Sequence, residues 1–366
     1  MQAANAERDA LVASFEVRRR QYLDEEGNAV ADLPDLARDR DLLRRIYRFM
    51  TFSRALDAKF VSLQRTGRSG TYAPAFGQEA VPIGVASAMR RTDVFVPSYR
   101  EGSAQIWRGV AIGDLLQYFA GSERGQAWSA PSVQRDLPIC ITVGNQALHA
   151  AGVAAALKYR AEDAAAVCVF GDGATSKGDV YAGINVAGVW SLPVVFVVTN
   201  NQWAISTPRT RQSAAETLAQ KGIAGGIAVV QIDGNDVLAV HDAVSEALVR
   251  ARAGGGATFV ECVTYRVQDH NTADDSTRYR DAEEVERHRA RCPLRRLRAF
   301  MQRSGMWSDE EERALALEIA QEIDAAVERH LDAPGEGPQA MFDHLYAELP
   351  AAYAGQRDEA VRHGDG

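Results

Sequence analysis

The sequence has few cysteines and no long apolar run, and both shortages narrow the classes of protein to which it can belong. Its four cysteines are scattered over 366 residues, and no two of them form a C-x-x-C pair. This pattern argues against a disulfide scaffold and a thiolate zinc site, and it fits a reducing cytoplasm, where we expect the protein. No apolar stretch approaches the roughly 18 residues of a membrane span, so we expect no membrane partner.

The chain also has fewer basic residues than acidic ones. The chain has 41 lysines and arginines against 49 aspartates and glutamates, which gives a formal net charge of −8. This balance argues against nucleic acid or an anionic membrane surface as the main partner. The first residues lack the apolar core of a secretory signal, so we expect none. What the chain does have is 46% apolar residues, enough to bury a large core.

The most informative stretch begins with a valine-rich apolar run, residues 164–170, that ends at a Gly-Asp-Gly triplet. Such a run predicts a strand that is buried on both faces. A helical pattern follows over about residues 176–190, and a second apolar run, residues 194–198, ends at an asparagine pair. Strand, helix and strand in this order predict a right-handed parallel unit.

The spacing predicts that Asp172 and Asn201 lie close together. A helix of some fifteen residues carries the chain back roughly 22 Å, and six strand residues return it roughly 20 Å. Both side chains therefore reach the carboxyl edge of the sheet, where ligands bind in open α/β folds. One carboxylate and one carboxamide suit Mg²⁺, which completes its shell with phosphate and water. Gly171 and Gly173 would let the backbone approach a diphosphate, and the helix N-terminus that follows favours its charge.

Two other phosphate motifs do not fit these residues. A dinucleotide fingerprint needs glycine or alanine where Ser176 stands, with an acidic residue about twenty positions further on, and residues 187–193 offer none. A Walker loop needs serine or threonine after its lysine, whereas Lys177 is followed by Gly178. A Gly-Asp-Gly turn that merely caps a strand is the alternative, and the asparagine pair after the next strand favours the magnesium–diphosphate interpretation.

The strings GDGATSKGD at 171–179 and NNQWAISTP at 200–208 carry a resemblance to a known family. Gly-Asp-Gly followed by Asn-Asn at this interval resembles the thiamine-diphosphate signature. The local sequence is similar to that of the alpha chain of the first component of 2-oxo acid dehydrogenase complexes, which include the pyruvate and branched-chain enzymes. The resemblance extends over about residues 42–350.

The resemblance implies an α/β fold with a mostly parallel central sheet and helices on both faces. This is the diphosphate-binding half of the thiamine-diphosphate-binding fold, with helical N- and C-terminal extensions. Along the chain we expect a loosely ordered, charge-rich arm at 1–40, an α/β domain at 41–280, and a helical extension at 281–366 packed on the same domain.

The resemblance also assigns ligands. Asp172, Asn201 and the backbone carbonyl of Trp203 would hold Mg²⁺, while Val143 and Gly144 would present backbone groups to the aminopyrimidine ring. The residues expected to contact the cofactor are Tyr99, Arg100, Val143, Gly144, Gly171, Asp172, Gly173, Ala174, Asn201 and His270.

Tyr99 and Arg100 follow a short predicted strand at 94–97. The resemblance places this pair on the diphosphate, and a guanidinium and a phenol are good phosphate donors. A surface ion pair between Arg100 and Glu101 is the alternative, since exposed pairs are common and weak.

His270 is the candidate catalytic residue. It lies in a polar loop after a predicted strand at 258–265, which is where sites are commonly placed. The resemblance brings it close to the diphosphate and the reacting centre, where it would stabilise charge or move a proton. A structural or solvated histidine is the alternative.

One segment departs from the family pattern. Relatives often place a substrate-facing histidine in the loop at 121–138, where this chain has Gln126, Trp128 and Ser129. The apolar run that follows, at 139–143, is predicted to be buried.

The function that the resemblance implies is decarboxylation of a 2-oxo acid, with pyruvate favoured, and transfer of the acyl group to the lipoyl domain of an acyltransferase. Activity is expected only with a beta subunit that supplies the catalytic glutamate, in a two-alpha, two-beta heterotetramer. A branched-chain 2-oxo acid or acetoin dehydrogenase alpha subunit is an alternative. A regulatory nucleotide- or metal-binding α/β module is the alternative outside the enzymes.

Overall fold

Buried, valine-rich strands form the centre of the fold. The structure, a computed structural model, describes residues 11–128 and 130–364. Within these residues the strands are β1 (Arg19–Arg20), β2 (Val94–Val96), β3 (Ala166–Gly171), β4 (Val194–Asn200), β5 (Trp203–Ala204), β6 (Thr207–Pro208), β7 (Ala228–Asp233) and β8 (Thr258–Val263). Six of them pair in parallel in the order β1-β7-β8-β4-β3-β2, and β5 and β6 form a small antiparallel ribbon.

Helices account for most of the remaining regular structure. The α-helices of the described residues are α1 (Arg40–Arg65), α2 (Ala80–Ala88), α3 (Gly102–Arg108), α4 (Ile112–Phe119), α5 (Asn145–Tyr159), α6 (Gly178–Val189), α7 (Arg209–Gln212), α8 (Gln220–Ala224), α9 (Val237–Arg252), α10 (Ala282–Arg289), α11 (Pro293–Arg303), α12 (Asp309–Leu331), α13 (Ala340–Asp343) and α14 (Ala351–His363). Short 3₁₀ turns lie at Asp35–Arg38, Glu123–Gln126, Pro131–Val133, Asp172–Ser176 and Ser276–Arg278. None of these helices is long and apolar enough to cross a membrane.

The two faces of the sheet are buried by different helices. Alternate residues of β4 point to opposite faces, so Val195 and Val197 join one core while Phe196 and Val198 join the other. Helices α2 and α9 cover the first face, and α5 and α6 cover the second. This confirms the predicted α/β fold with a mostly parallel sheet and helices on both faces.

A third apolar cluster lies beside the sheet, where α1 packs against α11 and α12. A capping box begins α12, because the Ser308 hydroxyl accepts from the Glu311 N–H and the Glu311 carboxylate accepts in return from the Ser308 N–H. The cluster therefore anchors the chain beyond residue 280. The domain boundaries at 40 and 280 stay predictions.

The loose ordering predicted for residues 1–40 is wrong over residues 19–38. Strand β1 pairs in parallel with β7, and Leu23 is buried. The N–H groups of Tyr22 and Leu23 both donate to the carboxylate of Asp236, at 2.7 and 2.8 Å. Composition indicates loose order because it cannot show that a few backbone groups find partners far along the chain. Residues 1–10 lie outside the described part.

The apolar run at 139–143 is not the buried segment that its composition predicts. It forms no strand, and the side chains of Ile141 and Val143 are 61% and 47% exposed. Ile139 does join the core, but Ile141 is exposed and Val143 lines an open cavity, so a hydrophobicity pattern alone places these two side chains wrongly.

Candidate functional site

The sheet brings Asp172 and Asn201 together at its carboxyl edge. Strands β3 and β4 pair in register with Gly171 opposite Thr199, so the residues that follow each strand emerge side by side. The chain after β3 first makes the 3₁₀ turn, and α6 begins at Gly178, two residues later than predicted, because Lys177 has an extended backbone. A cavity of about 220 Å³ opens at this edge.

Every residue predicted from the sequence to belong to the site lines this one cavity. Its walls also include Glu101, Ala204 and Ile205, which the prediction did not include. The predicted residues on the walls are Tyr99, Arg100, Val143, Gly144, Gly171, Asp172, Gly173, Ala174, Asn201, Trp203 and His270. Their individual roles toward a ligand stay predictions.

Asp172 is a buried carboxylate with one oxygen that has no partner among the described residues. Its side chain is 1% exposed, and its Oδ2 atom has no hydrogen-bond donor among the described residues. Burial raises the pKa of its carboxyl group to about 6, although backbone N–H groups and the charge of Arg266 act in the opposite direction. A buried polar atom without a partner calls for an explanation, and a bound cation is one.

Asn201 offers an amide oxygen beside this carboxylate. Its Nδ2 atom donates to Gln78 Oε1 at 2.9 Å, and its Oδ1 atom accepts only a long bond, 3.3 Å, from the Trp203 N–H. The next residue, Gln202, has a φ of +72°, an uncommon conformation for a side chain of this kind. Such strain is typical of functional sites.

Two guanidinium groups near the cavity have no carboxylate partner among the described residues. Arg100 donates to the carbonyl of Pro74 at 2.7 Å and to the carbonyl of His270 at 2.7 Å. Arg266 donates to the carbonyls of Trp203 and Ile205, at 3.2 and 2.7 Å. Burial, with the charges of neighbouring arginines, lowers the pKa of Arg266 to about 10. Two guanidinium groups that form no ion pair with a described residue favour an anionic ligand.

The sequence prediction missed Arg266, although a signal for it exists. Arg266 comes shortly after β8, so the same strand-end rule that selects Asp172 and Asn201 applies to it. The alternative of an Arg100–Glu101 surface pair does not hold. Glu101 is buried and accepts from the Ser98 N–H at 2.9 Å, while Arg100 bonds to other groups.

His270 lies between the two guanidinium groups. Its Nδ1 atom is 3.0 Å from Arg100 Nη2 and 3.5 Å from Arg266 Nη1, so Nδ1 is the acceptor and the neutral ring carries its proton on Nε2. Burial, with the charges of these two arginines, lowers the pKa of His270 to about 4. The backbone N–H of His270 donates to the carboxylate of Asp274 at 2.8 Å, and this bond fixes the loop. The ring is therefore neutral at pH 7 and presents an N–H donor.

Two glycines leave space that a side chain would fill. A Cβ atom on Gly173 would lie 2.9 Å from the Cβ atom of Ala204. Gly144 has a φ of +84°, and a Cβ atom there would approach Lys177 and Val180 within 3.1 and 3.2 Å. The cavity therefore requires glycine, which has no side chain, at both positions.

In the loop that lacks the expected histidine, the described residues do not line the cavity. Gln126 Oε1 accepts from the Ile139 N–H at 2.6 Å, and Trp128 Nε1 donates to the Gly125 carbonyl at 3.2 Å. Neither side chain lines the cavity. Ser129 lies outside the described residues.

Comparison with known families shows to which family the chain belongs. The model of the family described as "Dehydrogenase E1 component" matches residues 47–339, most of the chain. The chain belongs to this family.

Curated E1 alpha relatives match the chain over nearly its whole length. The alpha subunit of 3-methyl-2-oxobutanoate dehydrogenase from Mycobacterium tuberculosis H37Rv is 41% identical over 331 residues, which cover 90% of this chain and 88% of the relative. The alpha subunit of the pyruvate dehydrogenase E1 component is 41% identical in Bacillus subtilis 168, over 90% of this chain and 89% of the relative. Its counterpart in Staphylococcus aureus Mu50 is 40% identical, over 92% and 90%.

Membership of the E1 family confirms the resemblance inferred from the motifs. It confirms the predicted enzyme class, a thiamine-diphosphate-dependent 2-oxo acid dehydrogenase, and with it the alpha type of chain. Identity to the pyruvate and the branched-chain relatives is equal, so overall similarity does not decide between their substrates.

Proposed function

We propose that the chain is the E1 alpha subunit that holds thiamine diphosphate, through Mg²⁺, in the described cavity and that acts on pyruvate. The observation that carries the proposal is the buried Oδ2 atom of Asp172, which has no partner among the described residues. Among the described residues, Asp172 forms no ion pair, and Arg100 and Arg266 bond to neutral groups. A magnesium–diphosphate pair supplies both missing charges.

The donor set fits a hard divalent cation. Asp172, Asn201 and the carbonyl of Trp203 would supply three oxygens, the ligand type that Mg²⁺ prefers. No cluster of three or more His, Cys, Asp or Glu side chains converges within the described residues, so nothing in that part of the chain favours a transition metal. Tyr99 and Arg100 would donate to the diphosphate, which would lie against the bare backbone at 171–174. Val143 and Gly144 would meet the aminopyrimidine.

The cofactor, when bound, supplies the carbanion-stabilising chemistry, while the protein supplies position and electrostatics. His270 would act from Nε2, because Nδ1 already faces two guanidinium groups. From that atom it would donate a hydrogen bond to a developing negative charge or deliver a proton to it. The acyl group would then pass to a lipoyl domain of the partner acyltransferase.

A beta subunit would complete the site, because the rim of the cavity is apolar and open. Val143 and Ile205 line the cavity and are each about half exposed, and Ile141 and Leu148 next to Val143 are exposed as well. Apolar side chains at the mouth of a charged cavity mark an interaction surface. In a two-alpha, two-beta assembly, the second chain would cover this rim and bring the glutamate that activates the aminopyrimidine.

The proposal is tested by cofactor titration and by reconstitution. Thiamine diphosphate should bind saturably only when Mg²⁺ is present, and binding that needs no divalent cation would contradict the metal site. The purified chain should show negligible decarboxylation of any 2-oxo acid, and activity should appear when the beta chain is added. Robust turnover by the chain alone would remove the beta subunit from the proposal.

Substrate choice needs its own measurement on the assembled enzyme. Pyruvate should give the highest kcat/KM in a panel that includes 3-methyl-2-oxobutanoate and acetoin. The relative from Mycobacterium tuberculosis makes a branched-chain 2-oxo acid the second candidate. A higher kcat/KM for the branched substrate would replace pyruvate in the proposal.

A further inference from the structure

Gln78 is a buried glutamine whose side chain makes one hydrogen bond within the described part of the chain, and that bond goes to the site. Its side chain is 2% exposed, and its Oε1 atom accepts from Asn201 Nδ2 at 2.9 Å. Its Nε2 atom has no partner among the described residues. Gln78 does not line the cavity, so it does not belong to the set of cofactor-contacting residues.

The backbone around Gln78 is held in place from several directions. The Gln78 N–H donates to the carbonyl of Ala75 at 2.8 Å. Gly77 has a φ of +85°, and a Cβ atom there would lie 2.8 Å from a methyl group of Val267. Glu79 is fully buried, where it accepts from the Gly77 N–H at 3.1 Å and from Arg54 Nε at 2.8 Å. The backbone that carries the acceptor for Asn201 is therefore held in place.

The orientation of the Asn201 amide depends on this acceptor. A primary amide has one oxygen acceptor and one NH₂ donor, and its two orientations differ only in which end meets which neighbour. With the NH₂ group on Gln78, the oxygen accepts from the Trp203 N–H. In the reversed orientation, the NH₂ group would face the Trp203 N–H, and two donors cannot form a hydrogen bond with each other. Since the Trp203 bond is long, at 3.3 Å, the Gln78 bond is the stronger constraint.

We propose that Gln78 is a positioning residue that holds the Asn201 amide with its oxygen available to a divalent cation and its NH₂ group turned away. Without the acceptor, the long bond from the Trp203 N–H is the remaining constraint on this amide among the described residues, and the reversed orientation presents a partial positive charge to the cation for part of the time. The inference rests on the proposed magnesium site and adds to it a residue that touches neither metal nor cofactor. Partners of this outer kind orient the groups that ligate the metal.

Two substitutions separate the acceptor from the bulk of the side chain. Gln78→Met keeps the length of the side chain and removes the acceptor, whereas Gln78→Glu keeps an oxygen at the same position. Gln105→Met is the matched control, because Gln105 is also buried, has no side-chain partner among the described residues and does not line the cavity. The readout is the Mg²⁺ concentration that half-saturates thiamine-diphosphate binding, measured by calorimetry on the enzyme assembled with its beta chain.

We expect Gln78→Met to raise this concentration about tenfold or more, the usual cost of removing an outer partner of a metal ligand. Gln78→Glu should stay within about threefold of wild type, and Gln105→Met should not change the value. Unfolding temperatures, measured without cofactor, show whether each variant is folded. An unchanged value in folded Gln78→Met would overturn the inference while leaving the magnesium site intact.

A double-mutant cycle gives the sharper result. In an Asn201→Ala background, Gln78→Met should cost nothing further, because the amide that it positions is already gone. Equal costs of Gln78→Met with and without Asn201 would overturn the inference, since they would show a general structural effect. Wild-type binding that does not depend on Mg²⁺ would overturn both the metal site and the inference, so the two failures are distinguishable.

Discussion

Two buried aspartates lie at opposite ends of the same sheet and have opposite surroundings. Asp93 comes directly before β2, at the amino edge, and Asp172 comes directly after the neighbouring strand β3, at the carboxyl edge. Both side chains are shielded from solvent, with exposed fractions of 0% and 1%. Burial alone does not distinguish them.

Hydrogen bonding does distinguish them. The carboxylate of Asp93 accepts from the Arg90 N–H at 2.7 Å, from the Ala165 N–H at 3.0 Å and from Arg252 Nε at 3.1 Å, and it forms an ion pair with Arg252. Asp172 has an oxygen with no donor among the described residues. A carboxylate whose partners are all present stabilises the fold, whereas one that lacks a partner is available for a ligand.

The same contrast extends to the positive charges. At the amino edge, Arg108 forms a buried pair with Asp136, whose other oxygen accepts from the Phe95 N–H at 2.9 Å. At the carboxyl edge, the bonds that Arg100 and Arg266 make to described residues go to neutral groups. The buried charges named at the amino edge therefore have counter-charges, whereas Asp172, Arg100 and Arg266 at the carboxyl edge form no ion pair among the described residues and are arranged for a charged ligand.

The largest effect that we expect is the loss of metal-dependent cofactor binding in Asp172→Ala. The affinity for thiamine diphosphate in the presence of Mg²⁺ should fall on the order of 100-fold or more, since even outer partners of a metal ligand contribute 10–100-fold. Calorimetric titration at fixed Mg²⁺ measures it. Asn201→Ala should weaken binding in the same direction by a smaller factor. Unchanged affinity in a folded Asp172→Ala protein would remove the metal assignment.

His270→Ala should affect chemistry more than binding. Turnover or acyl transfer by the assembled enzyme should fall on the order of 100-fold, the lower range for a positioned acid–base group. The affinity for thiamine diphosphate should stay within about threefold, because the two guanidinium groups remain. Steady-state kinetics and cofactor titration on the same samples separate the two effects. Normal turnover would leave His270 a structural role only.

Asparagine substitutions at the two aspartates test the comparison most directly. Asp93→Asn should lower the free energy of unfolding by about 3–5 kcal/mol, because it leaves the buried guanidinium of Arg252 without its counter-charge. Asp172→Asn should leave this free energy unchanged or raise it, since it removes a carboxylate whose ionised form is disfavoured by burial. Urea unfolding without cofactor measures both. Equal destabilisation by the two substitutions would contradict the division into a structural and a functional aspartate.

The part of the site that follows from strand order could be predicted from the sequence. Asp172 and Asn201 converge because parallel strands end at one edge, and element lengths read from apolar runs suffice to place both residues. Helix α1 and the capping box of α12 were predictable for a similar reason, since their signals lie within a few residues of each other.

The rest depends on contacts between distant residues. Gln78 lies 123 positions before Asn201, and Leu23 bonds to a carboxylate 213 positions away, so no local pattern reveals either pair. The exposed side chains of Ile141 and Val143 show a second limit. Hydrophobicity indicates that a surface is covered in the final assembly, but it does not say whether this chain or another one covers it.

The smallest effect that we expect is a pH dependence that originates at His270. Burial and the charges of Arg100 and Arg266 lower the pKa of His270 to about 4, well below the value of about 6.5 that an unfolded chain has. Between these values the unfolded chain binds the proton and the folded chain does not, so stability falls as the pH decreases from 6.5 toward 4. Removing the imidazole should remove this part of the acid sensitivity.

His270→Gln should therefore lose less thermal stability than wild type between pH 7.5 and pH 5, by about 2–4 °C. His149→Gln, which removes an exposed histidine, is the control and should show the wild-type loss. Saturating Mg²⁺ and thiamine diphosphate should shrink the difference, because a diphosphate beside the two guanidinium groups makes protonation of His270 easier. Identical acid sensitivity in wild type and His270→Gln, with and without cofactor, would show that the positive charges at the carboxyl edge do not control this ring.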